Sequence, residues 1–265
     1  MLEFVKETLL LLPFLFVTYL VLEGVEASTN GALERYLGRA RSFGPIVGAL
    51  AGAIPQCGVS AAASSFFAGG VIGVGTLLAV MLSTSDELLP VLIASQAPAT
   101  LLFKIFGIKI VFAMLVGLIA NLIFHKKPQN IESLCEHSHC GCVSAKGIIV
   151  PALIHTLEIF VFIAIISGAI EIAVHYCDFE SWHLNTFLAG LLGMIPNCAV
   201  SVAAAKLYLA GNMSGSALMA SSFSGSGLGL LVLFRTNRNW KENIFIFAAL
   251  YILSVVLGYL TGGLL

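Results

Sequence analysis

The chain has 265 residues, of which 58% are hydrophobic and only 10% are charged, and its formal net charge is -1. A mean hydropathy of +0.99 lies outside the range of soluble globular domains. The small net charge also excludes a basic surface for nucleic acid. Composition therefore predicts an integral membrane protein whose surroundings are the lipid bilayer, with no nucleic-acid partner.

Long charge-free runs indicate how the chain crosses that bilayer. Asp, Glu, Lys and Arg are absent from residues 42–85, 184–205, 207–234 and 243–265, and about twenty apolar residues suffice for one helical span. Because helices satisfy their own backbone groups in lipid, we predict helices in each apolar segment, with breaks near Pro55, Pro90 and Pro196. The segments are residues 8–27, 43–68, 71–95, 108–125, 148–175, 184–210, 213–235 and 243–264.

The chain contains an internal repeat. Residues 54–92 align without gaps on residues 195–233, 141 positions later, with 15 identities in 39 positions. Duplicated halves with interrupted helices recur in secondary transporters, which bind substrate where the repeats meet. We predict an all-α polytopic fold of two homologous halves, arranged as inverted repeats with broken or re-entrant helices. The first half would be residues 1–127, the interhalf loop 128–146 and the second half 147–265.

Each half carries a proline, an amide and a thiol in succession. Gln56 and Cys57 follow one proline, and Asn197 and Cys198 follow the other. Proline frees backbone carbonyls, which in lipid need a partner such as a cation. Two converging copies would offer sulfur and oxygen ligands, so Cys57 and Cys198 are predicted metal ligands. The alternative is a proline kink in which cysteine is a small packing residue.

Adjacent carboxylates, Asp86 and Glu87, lie deep in an apolar segment, where charge is costly and typical of functional sites. Asp86 is a third predicted metal ligand, although Ser85 or Asp86 could instead cap a half-helix. The second half keeps the neighbouring serines without the carboxylates. The complete predicted substrate site is Gln56, Cys57, Ser60, Ser83, Ser85, Asp86, Glu87, Asn197, Cys198, Ser201, Ser224 and Ser226.

A second group of metal-binding residue types lies in the interhalf loop, at Cys135, His137, His139, Cys140 and Cys142. Thiols and imidazoles suit zinc, copper(I), cadmium or arsenic(III) better than they suit magnesium or calcium. The loop is predicted to hold an accessory metal, with a disulfide or an inert spacer as alternatives. No other cofactor is expected.

The motifs at residues 54–58, 83–87, 195–198 and 230–235 resemble those of a bacterial family described as putative heavy-metal exporters. Its members have about ten predicted membrane helices and are labelled arsenic efflux proteins or manganese transporters. The resemblance implies export of a metal or metalloid. It also implies that the signature positions are Gln56, Cys57, Asp86, Glu87, Asn197 and Cys198.

Neither a phosphate-binding loop nor a nucleophile elbow is present, so we expect a gradient-driven carrier rather than an enzyme. The predicted function is a secondary active transporter of the inner (plasma) membrane, spanning it several times. It would export a divalent transition metal or metalloid of the manganese, zinc, cadmium or arsenite class by alternating access, coupled to a proton or another cation. One alternative is an anion transporter with serine donors. Another is an intramembrane thiol oxidoreductase that uses Cys57 and Cys198 as a redox pair.

Overall fold

A computed structural model describes residues 43–54, 57–84, 92–93, 95–124, 184–196 and 198–265, together with single positions at 88 and within 13–20 and 153–165. Across these residues the regular secondary structure is entirely helical. The predicted all-α class is therefore confirmed for the part of the chain that the structure describes.

The described helices are numbered here in chain order. They are α1 (Gly44–Gly52), α2 (Cys57–Ala68), α3 (Val74–Ser83), α4 (Ala99–Ile123), α5 (Thr186–Gly193), α6 (Cys198–Leu209), α7 (Gly215–Ser224), α8 (Gly229–Thr236) and α9 (Trp240–Thr261), followed by a 3-10 turn at Gly262–Leu264. Short helices separated by brief breaks thus alternate with two long, continuous ones, α4 and α9.

Three described stretches are long and apolar enough to cross a membrane: Ala99–Ile123, Gly215–Thr236 and Trp240–Leu264. The middle stretch joins α7 and α8 across their break, and 78% of its apolar window is buried by protein, against 22% for α4. The middle stretch therefore forms the interior of the bundle, whereas α4 turns most of its surface outward. By length and composition this is the architecture of a membrane protein.

The long helix α4 contacts the bundle through one stripe. The side chains of Ile105, Lys109, Ala113, Gly117 and Ala120 are buried along it, at spacings of three and four residues. Large apolar side chains on the other faces are exposed, namely Phe103, Val111, Leu115, Ile119 and Leu122. Because such a surface suits lipid rather than water, α4 is placed at the periphery with Lys109 facing inward.

Small residues let α3 and α4 approach closely. A methyl group added at Gly117 would lie 2.7 Å from the Ala79 Cβ, 2.8 Å from the Gly75 carbonyl oxygen and 2.9 Å from the Pro45 Cβ. The same contact recurs between α7 and α9, where a methyl group at Gly258 would lie 2.7 Å from both the Ser216 oxygen and the Ala220 Cβ. Close backbone approach of this kind is the usual basis of helix association in membranes.

Helix bounds also recur along the chain. Helices α6 and α7 begin and end 141 positions after α2 and α3. The turns between them contain Gly70 with φ 73° and Gly211 with φ 76°, again 141 positions apart. Helix α3 packs against α1 and α4, and α7 packs against α5 and α9 in the corresponding way. The two stretches therefore have the same local architecture.

Two of the predicted helix breaks are confirmed, and two predicted segments need correction. As predicted, residues 43–68 and 184–210 are broken near Pro55 and Pro196, with α1 ending at Gly52 and α5 at Gly193. Residues 213–235 were predicted as one helix but form two, because Gly225 and Gly227, the latter with φ 54°, interrupt the helix without proline. The helix predicted at residues 108–125 begins nearer the N-terminus than expected, since α4 starts at Ala99. Pro90 lies outside the described residues.

We expect Gly117→Ala to lower the free energy of unfolding by about 1–3 kcal/mol, because the added methyl group meets backbone and side-chain atoms of α3 and α1. Gly107→Ala, on the same helix, meets nothing within 4 Å. It should leave stability unchanged or raise it by about 0.5–1 kcal/mol, since alanine favours helix. Thermal unfolding of the two variants in detergent measures the difference. Equal midpoints would contradict the close packing of α3 on α4.

Candidate functional site

Two short helices end inside the bundle. Helix α3 ends at Ser83 and α7 at Ser224, and both serines are fully buried. Each hydroxyl donates back to a carbonyl three residues earlier, Ser83 to Val80 and Ser224 to Ser221, both at 3.0 Å. The two helices contact each other. The predicted site residues Ser83 and Ser224 therefore occupy matching positions at two buried helix ends.

The proline breaks begin beside these ends. A methyl group added at Gly52, the last residue of α1, would lie 2.2 Å from the Ser83 hydroxyl oxygen. One added at Gly193, the last residue of α5, would lie 2.2 Å from the Ser224 hydroxyl oxygen. The end of α1 therefore lies beside the end of α3, and the end of α5 lies beside the end of α7. These two pairs of helix ends are equivalent.

Helix ends of this polarity favour cations. The last carbonyls of an α-helix have no N–H partner within the helix, and the end carries a partial negative charge. In a protein interior that charge acts with little screening. The junction of α3 and α7 is therefore suited to a positive group.

A lysine already lies at this junction. The Lys109 ammonium donates to the carbonyl oxygen of Thr84, directly after α3, and to the Ser222 carbonyl and hydroxyl oxygens of α7 at 2.6 and 2.9 Å. Its side chain is 1% exposed, and its Nζ lies 6.0 Å from the centre of the Phe223 ring. Since one nitrogen binds both helices, the Thr84 and Ser222 carbonyl oxygens lie within two hydrogen-bond lengths of each other.

Lys109 was missed in the sequence analysis. The predicted apolar segment begins at residue 108, so Lys109 lies at its edge. A charged residue is common at the edge of a membrane segment. The available signal was the apolar sequence on both sides of the lysine, at residues 105–108 and 110–120. A lysine within a membrane helix usually faces the bundle interior and marks a functional path.

The break between α7 and α8 contains a further predicted site residue, Ser226. Its N–H donates to the Ser224 oxygen at 2.7 Å, and its carbonyl accepts from Gly229 at 3.2 Å. Its hydroxyl is buried without a hydrogen-bond partner in the described part of the protein. An unsatisfied buried hydroxyl is costly, and it is the kind of group that a substrate could satisfy.

Ser60 lies close to the same break from α2. The start of α8 packs on it so tightly that a methyl group at Gly229 would lie 2.9 Å from the Ser60 Cβ. One turn further, Ser64 donates to the Gly229 oxygen at 2.7 Å and to the Ser60 oxygen at 3.0 Å. The remaining described candidate, Ser201 on α6, is half-buried. Its side chain is not part of the contacts that Ser60 and Ser64 make with Gly229.

One protein family matches most of the chain. The family described as "Putative, 10TM heavy-metal exporter" matches residues 9–181. The chain belongs to this exporter family. No curated relative and no solved structure matches the chain. Family membership supports metal transport across a membrane as the general function, and the matched residues include Lys109 and the predicted positions Gln56, Cys57, Asp86 and Glu87.

Several predicted ligands and site residues lie outside the described residues. They are Gln56, Ser85, Asp86, Glu87, Asn197 and the loop residues Cys135, His137, His139, Cys140 and Cys142. Cys57 and Cys198 are described by their backbone alone, as the first residues of α2 and α6. Within the described ranges, no three His, Cys, Asp or Glu side chains form a group that could hold a metal. The metal-ligand predictions therefore stay predictions.

We expect Ser226→Ala to leave stability unchanged or raise it by up to about 2 kcal/mol, because it removes an unsatisfied buried hydroxyl. If that hydroxyl binds substrate, transport should nevertheless fall about tenfold, the equivalent of one hydrogen bond of about 1.4 kcal/mol. Thr236→Val is the matched control, since Thr236 has the other unpartnered buried hydroxyl of the described residues but lies at the far end of α8. Equal transport by the two variants would remove Ser226 from the site.

Proposed function

We propose that the protein is a secondary active transporter that exports a divalent transition metal or a metalloid by alternating access. The observation that carries the proposal is the convergence of two buried helix ends, α3 and α7, on one positive group, in a member of a heavy-metal exporter family. An intramembrane junction that stabilises positive charge is what a cation carrier needs at its centre.

The proposal includes two homologous halves, residues 1–127 and 147–265, related as inverted repeats. The recurrence of helix bounds, of positive-φ glycines and of glycine contacts 141 positions apart supports it. Alternating access is then the rocking of one half against the other around the site between them. Helix α2 packs on α8 and α3 on α7, so contacts between the proposed halves surround the junction.

We place the substrate at this junction, with Cys57 and Cys198 as soft ligands and Gln56 and Asn197 as oxygen donors. Both cysteines begin a helix directly after a break that starts beside Ser83 or Ser224. Thiolates favour arsenite, cadmium or zinc, whereas carboxylates and amides favour manganese. The mixed set is therefore consistent with a borderline metal or a metalloid.

Asp86 and Glu87 are proposed to compensate the charge of the cargo or to carry a coupling proton, and Asp86 to ligate it. They follow Thr84, whose carbonyl accepts from Lys109, by two and three residues in the chain. The Cys/His loop at residues 135–142 is proposed as an accessory metal site that gathers or senses metal.

One observation favours a second candidate, a transporter of anions. A buried ammonium group attracts anions, and Lys109 is such a group. Helix N-termini also favour anions, and α2 and α6 begin beside the breaks. The C-terminal ends of α3 and α7 have the opposite polarity and favour cations. We therefore prefer metal export to anion transport.

The test is the cellular content of manganese, zinc, copper, cadmium and arsenic, measured by elemental mass spectrometry in cells that produce the protein. We expect one element to fall with the wild type and to return to the level of empty-vector cells with Cys57→Ser/Cys198→Ser. The control is Cys177→Ser, which changes the one cysteine outside the paired motifs and the 135–142 loop. It should behave as wild type.

Each alternative predicts another pattern at equal protein abundance. If no element responds to the wild type, metal export is wrong and anion uptake should be measured next. If the element falls equally with the double cysteine variant, metal export stands and the thiol ligands are wrong. A shift on non-reducing gels that disappears in the double variant would instead support a redox pair.

A further inference from the structure

The surroundings of Lys109 are those of a bound cation. Its ammonium group is held by the Thr84 carbonyl oxygen and by the two Ser222 oxygens, at 2.6 and 2.9 Å for the latter pair. All three of these groups are oxygen acceptors, which suit the N–H donors of an ammonium. The face of Phe223, 6.0 Å away, adds a cation-π contact. The junction of α3 and α7 thus accommodates a positive charge that the chain itself supplies.

Packing alone does not explain that charge. The position 141 residues later is Leu250, a fully buried apolar side chain on α9, the helix that packs against α7. The rest of the buried stripe on α4 is also apolar. Burying a charge in such a place is costly unless the charge has partners, and a leucine avoids that cost. The lysine therefore has a role that a packing residue does not fill.

We propose that Lys109 is a specificity-determining residue, whose ammonium occupies the oxygen-lined junction until a divalent cargo cation replaces it. The inference rests on the proposed function and deepens it, because it states how the site selects its cargo. The acceptors of Lys109 are close in sequence to two predicted site residues, since Thr84 adjoins Ser83 and Ser222 is two residues before Ser224. A cation bound at Ser83 and Ser224 would consequently lie beside the ammonium.

The charge of a cation determines whether it can replace the Lys109 ammonium at the junction of α3 and α7. Two positive charges at such close range repel strongly in a protein interior, so cargo and ammonium cannot share the oxygens without cost. A monovalent cation gains no more from the helix ends than the ammonium it displaces, whereas a divalent cation gains about twice as much. Lys109 would thereby exclude sodium and potassium. It would also weaken divalent binding enough for the cargo to leave, as conduction through any site requires.

The test measures equilibrium binding of manganese(II), zinc(II) and cadmium(II) to the purified full chain in nanodiscs. Lys109→Gln keeps an N–H donor but removes the charge, and we expect it to bind the cargo metal at least about tenfold more tightly. Lys109→Arg keeps the charge and should bind within about threefold of wild type. The matched control is Lys104→Gln, the same change on the same helix at an exposed lysine, which should not alter affinity.

A second measurement can be interpreted on the wild type alone. Sodium chloride is exchanged for N-methylglucamine chloride at constant ionic strength while metal binding is followed. Sodium should not displace the metal from wild type, whereas it should weaken binding to Lys109→Gln by at least about threefold. Displacement by sodium from wild type would overturn the inference even if no Lys109 variant folds.

The outcomes separate this inference from the proposed function. If wild type binds none of the three metals, the inference fails, and the elemental measurement proposed above then decides separately whether a metalloid or another metal is exported. If wild type binds a metal and Lys109→Gln binds it equally or more weakly, only the inference fails, and Lys109 is then a structural clamp between α3 and α7. If wild type binds arsenate or phosphate and Lys109→Gln does not, the charge attracts cargo instead of competing with it, which overturns the inference and favours the anion carrier.

Discussion

The arrangement of this bundle depends on satisfying the backbone groups of helices that end within it. Helices α3 and α7 end among buried side chains, and the last carbonyls of a helix have no N–H partner within it. The ammonium of Lys109 donates to two carbonyl oxygens at these ends, those of Thr84 and Ser222. Broken helices are tolerated in an apolar interior because such partners exist, and the partners then fix where the helix ends meet.

The close packing of small residues makes those partnerships possible. In lipid there is no hydrophobic gain from bringing two apolar helices together, so association depends on contact between backbones. Gly75 and Gly117 allow α4 to lie directly on α3, and Gly258 allows α9 to lie on α7. A bulkier residue at Gly117 would move α4 outward and take the Lys109 ammonium away from its carbonyl acceptors. Packing at the periphery and electrostatics at the centre therefore depend on the same glycines.

Local patterns predicted much of this structure, and partners distant in sequence account for the rest. Charge-free runs located most of the helices other than α4, and Pro55 and Pro196 marked two breaks, because each signal acts on its own segment. The break after α7 was missed because Gly225 and Gly227 replace proline there. Lys109 was missed for a deeper reason. Hydropathy weighs a lysine as an unpartnered charge, whereas its acceptors lie 25 and 113 residues away in the sequence.

The difference between Lys109 and Leu250 bears on how a duplicated scaffold can transport a charged cargo. Two identical halves would hold a cation equally well in both access states, so the cargo gradient alone would set the direction of transport. Here one proposed half supplies the ammonium and, in the sequence, the carboxylates Asp86 and Glu87. The other supplies Leu250 and the Ser226 hydroxyl, which has no hydrogen-bond partner among the described residues. As the proposed halves rock, the fixed charges would move with one of them only. The free energy of the bound cargo would then differ between the two states, which favours binding on one side and release on the other.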